Sequence, residues 1–378
     1  MKVRAAVLRE LGLPQPYAQS RPLTLETLEL DPPGPGELRV RMLAAGLCHS
    51  DLSVIDGNRP RVMPMVLGHE ACAEVIELGP DVTGFAPGDR VVLSFVPSCG
   101  HCAPCASGRA ALCEPGARAN LAGTLLAGQR RWHDPQQALN HHLGVSAFAE
   151  YAVISARSAV KVPHDLDPAI AALFGCAVLT GVGAAINCAH VQPGQSVAII
   201  GLGGVGMAAL LGAQVSGAHP IVAVDVHDSR LQSALMLGAT HAVHADADAT
   251  EQIRELTGGG AEVVIECVGS DQALALAYAA TRRGGTTVTT GLPHPAQLFS
   301  VPAVSLVAEE RTVKGSYMGT SVPSRDIPRY IDLYRAGRLP VDALLTHRLP
   351  LEQINLGFDR LAHGEGLRQV VVFGEASA

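Results

Sequence analysis

Residues 197–206 read Val-Ala-Ile-Ile-Gly-Leu-Gly-Gly-Val-Gly, a short apolar run that breaks into a glycine-rich turn. The run suits a buried strand, and the apolar residues 205–215 that follow suit a helix. In Gly201-Leu202-Gly203-Gly204-Val205-Gly206 each glycine has a separate task. The first permits a tight turn, the second lets the backbone approach a pyrophosphate, and the third lets helix and strand pack closely. The free N–H groups at the helix start then face the phosphate. A second apolar strand, residues 221–224, ends at Asp225, 19 residues after Gly206. A carboxylate there accepts from both ribose hydroxyls and repels a 2′-phosphate, which predicts NAD over NADP. Arg230 lies close enough in sequence to belong to the same site.

Outward from this turn the rhythm repeats. Helical residues 229–237 and 272–280 alternate with strands at 263–265 and 286–290. Strand–helix–strand repetition predicts an α/β fold with a doubly wound parallel sheet, connected by right-handed crossovers. Toward the N-terminus the pattern changes to β structure. Leu38, Val40 and Met42 alternate with Glu37, Arg39 and Arg41, the period of a half-buried strand. Residues 71–78 and 90–95 are further strands bounded by Gly or Pro. Residues 126–140 read as a polar surface loop around Trp132. Beyond 320, a helix near 327–336 and a last strand at 370–373 return the chain to the first domain.

With 378 residues, 48% hydrophobic and 17% charged, the chain is folded and larger than one domain. A formal charge of −7 without a basic block argues against a nucleic-acid partner. No Asp, Glu, Lys or Arg occurs from Pro168 to Val224, a length that invites a membrane reading. Ten glycines in that stretch, several in the phosphate turn, favour a buried α/β core and no membrane partner. Met1 to Glu10 alternates charged and apolar residues, without the apolar core of a signal peptide, so a cytoplasmic location is expected.

Four of the nine cysteines form Cys99-x2-Cys102-x2-Cys105-x7-Cys113. An all-thiolate set at this spacing is read as a closed, structural zinc site, with iron–sulfur ligation and disulfides as the alternatives. A second set is dispersed: Cys48, His69 and Cys176. Two cysteines and a histidine form an open catalytic zinc set, but spacing alone does not join three such distant positions. Cys72, Cys188 and Cys267 sit in apolar contexts and read as core residues.

Taken together, Gly46–Asp51, Gly68–Glu70, the cysteine quartet, residues 141–151, residues 176–183, the glycine turn with Asp225, and residues 364–373 resemble the zinc-dependent alcohol dehydrogenases of the medium-chain dehydrogenase/reductase family. The similarity runs nearly end to end. It implies a GroES-like, mostly β catalytic domain from 1–177 and 321–378, and a Rossmann coenzyme domain from 178–320. It implies that Cys48, His69 and Cys176 ligate a catalytic zinc, with Glu70 near the metal during ligand exchange. Ser50 corresponds to the hydroxyl that receives the substrate proton, and Asp51 to the carboxylate that orients His69. Thr180, His49 and Arg368 fall at coenzyme contacts, and Phe95 lines the substrate pocket. His141 and His142 match a segment with no metal role. The implied cofactors are NAD and two zinc ions per chain. The implied reaction interconverts small alcohols with aldehydes or ketones by hydride transfer.

Several positions depart from the family pattern. Ser53 stands where many relatives carry the histidine that ends the proton relay, and serine has no pKa near neutral. His49 replaces an Arg and lacks its bidentate fork. The long segment between Cys113 and His141 resembles the dimeric class I and class III branches, so a homodimer is expected. Ala117, beside Arg118, stands where glutathione-dependent formaldehyde dehydrogenases carry an Arg. That alternative is weakened, while the intact ligand set argues against a non-catalytic coenzyme-binding relative. Arg59 reads as a solvated surface residue more readily than as a contact to an anionic substrate.

Overall fold

A computed structural model describes residues 1–374. The chain divides into two compact units, Met1–Cys176 with Val322–Pro328 and Leu345–Ala378, and Ala177–Ser321 with Arg329–Leu344.

The second unit is a six-stranded sheet in which every neighbouring pair is parallel. Its order is His241–His244, Ile221–Asp225, Val197–Ile200, Ala261–Glu266, Thr281–Thr289, Thr312–Gly315. Chain order reverses beside Val197–Ile200, whose neighbours are the second and fourth strands of the sheet; ligands bind such sheets at this switch point, outside the carboxyl ends of the strands. All four residues of Val197–Ile200 are buried, as a strand covered on both faces requires. Helices Gly204–Val215, Asp228–Met236, Ala249–Leu256 and Asp271–Ala280 connect the strands. His241–His244 has one buried residue and no visible period, whereas Ala249–Leu256 carries Ala249, Ile253 and Leu256 at helical spacing toward the core.

Residues 329–344 were expected in the first domain, yet they cluster with the second unit. Tyr330, Ile331, Leu339, Val341 and Leu344 are all buried. The Asn187 amide donates to the Tyr330 hydroxyl at 3.1 Å, fastening this stretch to the π-helical segment Ala184–Ala189. Apolar burial outweighed proximity in sequence.

The first unit combines a closed five-stranded barrel with a seven-stranded sheet. At the sheet's centre Glu37–Gly46 pairs antiparallel with Glu70–Leu78, Tyr151–Ser155 and the C-terminal strand Arg368–Val372. Leu38, Val40 and Met42 face the core. Gly46 lies opposite both Glu70 and Val370, so strands from the two ends of the chain meet beside the dispersed ligand residues.

Residues 126–140 are not a surface loop. Trp132–His133 and Ala138–His141 are short barrel strands, and Trp132 is fully buried. Leu30 pairs with Trp132, turning the indole into the barrel. Charged neighbours (Arg130, Arg131, Asp134) and strands of two and four residues hide this from any periodicity. Among the described residues no helix is long and apolar enough to cross a membrane.

Candidate active site and metal centres

The strand Glu37–Gly46 delivers the chain to Cys48, the residue before helix His49–Ile55. Asp51, in the helix's first turn, turns back so that its Oδ2 accepts from the Cys48 N–H at 3.2 Å. Its Oδ1 accepts from His69 Nδ1–H at 3.0 Å. Because a carboxylate only accepts, this bond fixes the His69 tautomer and leaves Nε2 as the free donor atom.

His69 is placed by Gly68, whose φ of +93° a side chain rarely adopts. A Cβ there would lie 2.6 Å from the Phe148 nitrogen. Ala147 and Phe148 donate to the carbonyls of Gly68 and Leu67, locking the turn from the other side. Cys176 enters from the turn after helix Pro168–Leu173. The three dispersed residues therefore converge: one donor atom from each of Cys48, His69 and Cys176 lies within 4.8 Å of the others, and all three residues are buried.

Burial and mutual contact shift the titratable groups gathered here. Hydrogen bonding with Cys176, helped by His69, pulls the Cys48 thiol well below its ordinary range, and the same contact together with burial raises Cys176. Burial opposes a proton on His69, but the Asp51 carboxylate outweighs it and raises the imidazole's pKa. Asp51 itself is held low despite burial, by His69 and His142. Burial pushes Glu70 up to about 7 against the pull of Arg368. Arg368 Nη2 donates to Glu70 Oε1, and Gly46 makes room, since a Cβ there would meet that carboxylate. Arg368, expected at the coenzyme pyrophosphate, is thus buried in an ion pair within the first unit, with its Nε unpartnered. Two thiols and one imidazole, all buried and converging, are the donor set of an open zinc site, and the residues fit that metal.

His142 was set aside in the sequence, yet its Nδ1 lies 3.1 Å from Asp51 Oδ1, off the line of a straight hydrogen bond. Its ring meets that of His69 edge to face with centroids 5.5 Å apart. Phe95 meets His69 in the same way, also at 5.5 Å, which places the expected pocket residue against the ligand set. Ser50 is half-buried and His49 exposed. The Ser53 hydroxyl donates to the Ser50 carbonyl at 3.0 Å. Ala117 and Arg118 are both exposed.

The quartet is also assembled, with donor atoms of Cys99, Cys102, Cys105 and Cys113 within 4.8 Å of one another. Backbone N–H groups of Cys99, Cys102 and Gly116 point at its sulfurs at 3.2–3.4 Å. The Cys102 and Cys113 sulfurs are 4.0 Å apart, about twice a disulfide bond. All nine cysteines are free thiols. Of the three read as core residues, Cys72 and Cys188 are buried and Cys267 is only half-buried.

In the second unit the glycine turn has the expected form. Gly201 has φ +85°, a Cβ on Gly203 would meet nothing, and one on Gly206 would lie 1.8 Å from the Gly201 carbonyl. Asp225 is buried and accepts from the Leu202 N–H at 2.6 Å and the His227 N–H at 3.0 Å. Arg230 Nη1 lies 3.6 Å from the same carboxylate. Thr180 is buried in helix Ala177–Gly183.

A barrel-and-sheet unit carrying two cysteine-rich clusters, and a doubly wound unit carrying a glycine turn, define a metal-binding, nucleotide-type oxidoreductase architecture. Residues 34–164 match the alcohol dehydrogenase GroES-like domain, and residues 204–336 the zinc-binding dehydrogenase domain. The chain is 39% identical over 376 residues to an NDMA-dependent alcohol dehydrogenase of Amycolatopsis methanolica, covering 98% of this chain and 99% of that one. A zinc-binding-domain alcohol dehydrogenase protein of Burkholderia ambifaria superposes with a TM-score of 0.93 at 37% identity, over 99% of this chain and all of that one. Benzyl alcohol dehydrogenase of Acinetobacter calcoaceticus superposes with a TM-score of 0.91 at 32% identity, over 99% and 100%. The chain belongs to the zinc-type medium-chain dehydrogenases/reductases and is an oxidoreductase of the alcohol dehydrogenase kind.

Proposed function

We propose that the protein is an NAD-linked, zinc-dependent dehydrogenase for primary or aromatic alcohols. The observation that carries this reading is the convergence of the donor atoms of buried Cys48, His69 and Cys176, with Asp51 bracing two of these residues. Cys48, His69 Nε2 and Cys176 would hold the catalytic zinc, and Cys99, Cys102, Cys105 and Cys113 would hold a structural one. Zinc supplies a Lewis acid that lowers the pKa of an alcohol hydroxyl, and NAD supplies the acceptor for hydride.

The chain's own groups do the remaining work. Asp51 keeps the proton on His69 Nδ1, so that Nε2 points into the pocket. Phe95 packs on His69 and keeps water from the reacting carbon. Ser50 Oγ would accept the proton of the alcohol hydroxyl while passing its own on to solvent, so that the alcohol would leave as the carbonyl compound, its hydride taken by the coenzyme and one proton released. The glycine turn supports the coenzyme's pyrophosphate, and Asp225 its ribose; Asp225 favours NAD because a 2′-phosphate beside it would meet like charge.

The test is NADH formation by zinc-loaded protein with benzyl alcohol, a short primary alcohol and S-hydroxymethylglutathione side by side. A preference for benzyl or a short primary alcohol is expected. A preference for the glutathione adduct would transfer the assignment to the formaldehyde dehydrogenase reading despite Ala117. A second reading draws on the relative named NDMA-dependent: this chain's activity would then depend on NDMA as well. Turnover that requires NDMA in the same assay would select it.

We also propose a homodimer. Thr312–Gly315 is the outer strand of the parallel sheet and exposes Val313, while the nearby helix Ala303–Ala308 exposes Val304 and Val307. An edge strand with unpaired backbone groups pairs readily with a two-fold copy of itself. Light scattering at micromolar concentration should give twice the 39.2 kDa chain mass, and a monomer would refute it.

A further inference from the structure

The glycine turn after Val197–Ile200 is flanked by two buried carboxylates, one at the end of each neighbouring strand. Asp225 ends the strand on one side and ties to the turn itself through Leu202. On the other side Ile200 pairs in register with Glu266, the last residue of Ala261–Glu266 and 1% exposed. No part of the reaction as described uses Glu266.

Its hydrogen bonds are fully committed. Oε1 accepts from the N–H groups of Val268 and Gly269, each at 2.6 Å. Oε2 accepts from the Thr289 hydroxyl at 2.6 Å, on the next strand. The Glu266 carbonyl accepts from both the N–H and the hydroxyl of Thr290. One residue therefore fastens two turns, those after Ala261–Glu266 and after Thr281–Thr289. A buried carboxylate is costly unless it is bonded in this way.

Both turns lie on the carboxyl edge of the sheet, where a doubly wound fold takes its ligand. The Val268 turn abuts the phosphate turn: a Cβ on Gly201 would lie 2.5 Å from Val268 Cγ2. The two turns also touch each other, since a Cβ on Gly291 would lie 2.1 Å from the Gly269 nitrogen. Yet Val268 is 55% and Leu292 47% exposed, apolar side chains held out at that edge. Such sheets consist of two mononucleotide-binding halves. The half containing Asp225 serves the adenosine, so the half beginning at Ala261–Glu266 serves the nicotinamide.

We propose that Glu266 is a positioning residue for the nicotinamide half of the coenzyme, holding the Val268–Gly269 and Thr289–Thr290 turns as the wall against which that half binds. This rests on the NAD reading above. Asp225 and Glu266 then divide the work, one carboxylate for each half of the dinucleotide.

Binding of NADH and of AMP to the full-length, zinc-loaded protein, followed by fluorescence and calorimetry, tests the assignment. Glu266→Ala should weaken NADH about tenfold or more, from the loss of hydrogen bonds to a charged group, and leave AMP within about twofold. Glu266→Gln should stay within about threefold of wild type. Its amide oxygen can take the two N–H groups, while its NH2 meets the Thr289 hydroxyl as acceptor. If Glu266→Ala folds poorly, Thr289→Val removes a single bond and should weaken NADH about two- to fivefold, again sparing AMP. Wild-type affinity for NADH in Glu266→Ala, or equal losses of NADH and AMP, would overturn the proposal. Wild-type protein that binds AMP but not NADH would overturn the NAD reading itself, and the role assigned to Glu266 with it.

Discussion

The two cysteine-rich clusters offer the same type of donor atoms and are built in opposite ways. The quartet lies within 15 residues of chain, two of its members are half-buried, and its braces are backbone N–H groups of the same loop. The trio comes from residues 48, 69 and 176, is wholly buried, and is braced by side chains. On the proposed reading, a loop closing on four thiolates would draw its shape from the metal, whereas three residues set by a strand end, a helix start and a glycine turn would be shaped by the fold and leave a coordination position for substrate. The first would be a metal that makes structure, the second a structure that positions a metal.

The largest effect should therefore come from the trio, and in activity rather than stability. Cys176→Ser, which keeps the size of the side chain, should lower kcat/KM on the order of 10⁴-fold, a part of what enzymes commonly gain in the transition state. Its melting temperature should stay within a few degrees of wild type. Comparable losses of activity and stability would show that the trio is scaffolding too. Cys113→Ser makes the converse case. Zinc content should fall from about two to about one per chain, and a loss of ~3 kcal/mol would lower the melting temperature by about 6–12 °C. Residual protein that stays folded should keep its turnover number. Metal analysis, calorimetry and steady-state rates on the same samples separate the two clusters.

The contrast also sets what the sequence could disclose. The quartet and the glycine turn are contiguous, so their chemistry can be read from spacing, and Asp225 follows at a distance fixed by one helix and one strand. The trio cannot be read that way, because the register that sets Gly46 opposite Glu70 and Val370 is a property of the sheet; only resemblance to a family joined Cys48, His69 and Cys176. Trp132 was misplaced because a two-residue strand among charged residues has no period. His142 and Glu266 carry no local signature at all, being an ordinary histidine and the last residue of an apolar strand. Their significance lies in what they approach across the fold.

Asp51 lies at the centre of that bracing, and its removal should cost less than loss of a ligand. Asp51→Asn keeps the shape but can turn an NH2 group toward His69, which disfavours the tautomer with Nε2 free. Partners of this kind are typically worth 10–100-fold in metal affinity. Competition with a chelator should show the trio's zinc released 10–100 times more readily, while the quartet's zinc is retained. Equal release from both clusters would mean that Asp51 supports the fold as a whole.

The smallest effect concerns where the proton goes after Ser50. Relatives with a histidine at position 53 have a base of pKa near neutral there, whereas Ser53 spends its hydroxyl on the Ser50 carbonyl one helical turn back. That bond closes the helix's own backbone and offers no base, so on the proposed reading the proton passes from Ser50 to water or to another histidine. Ser53→His restores a base on the half-buried face of the same helix. Alcohol oxidation should then rise a few-fold between about pH 6.5 and 8, where a neutral imidazole can accept the proton, and the advantage should vanish below the imidazole's pKa of about 6.5. The size stays small because general-base assistance speeds only steps that proton transfer limits, and water already serves that route. A pH profile of single-turnover hydride transfer that does not change between wild type and Ser53→His would show that proton departure never limits this enzyme, and that the serine is tolerated because the relay is dispensable.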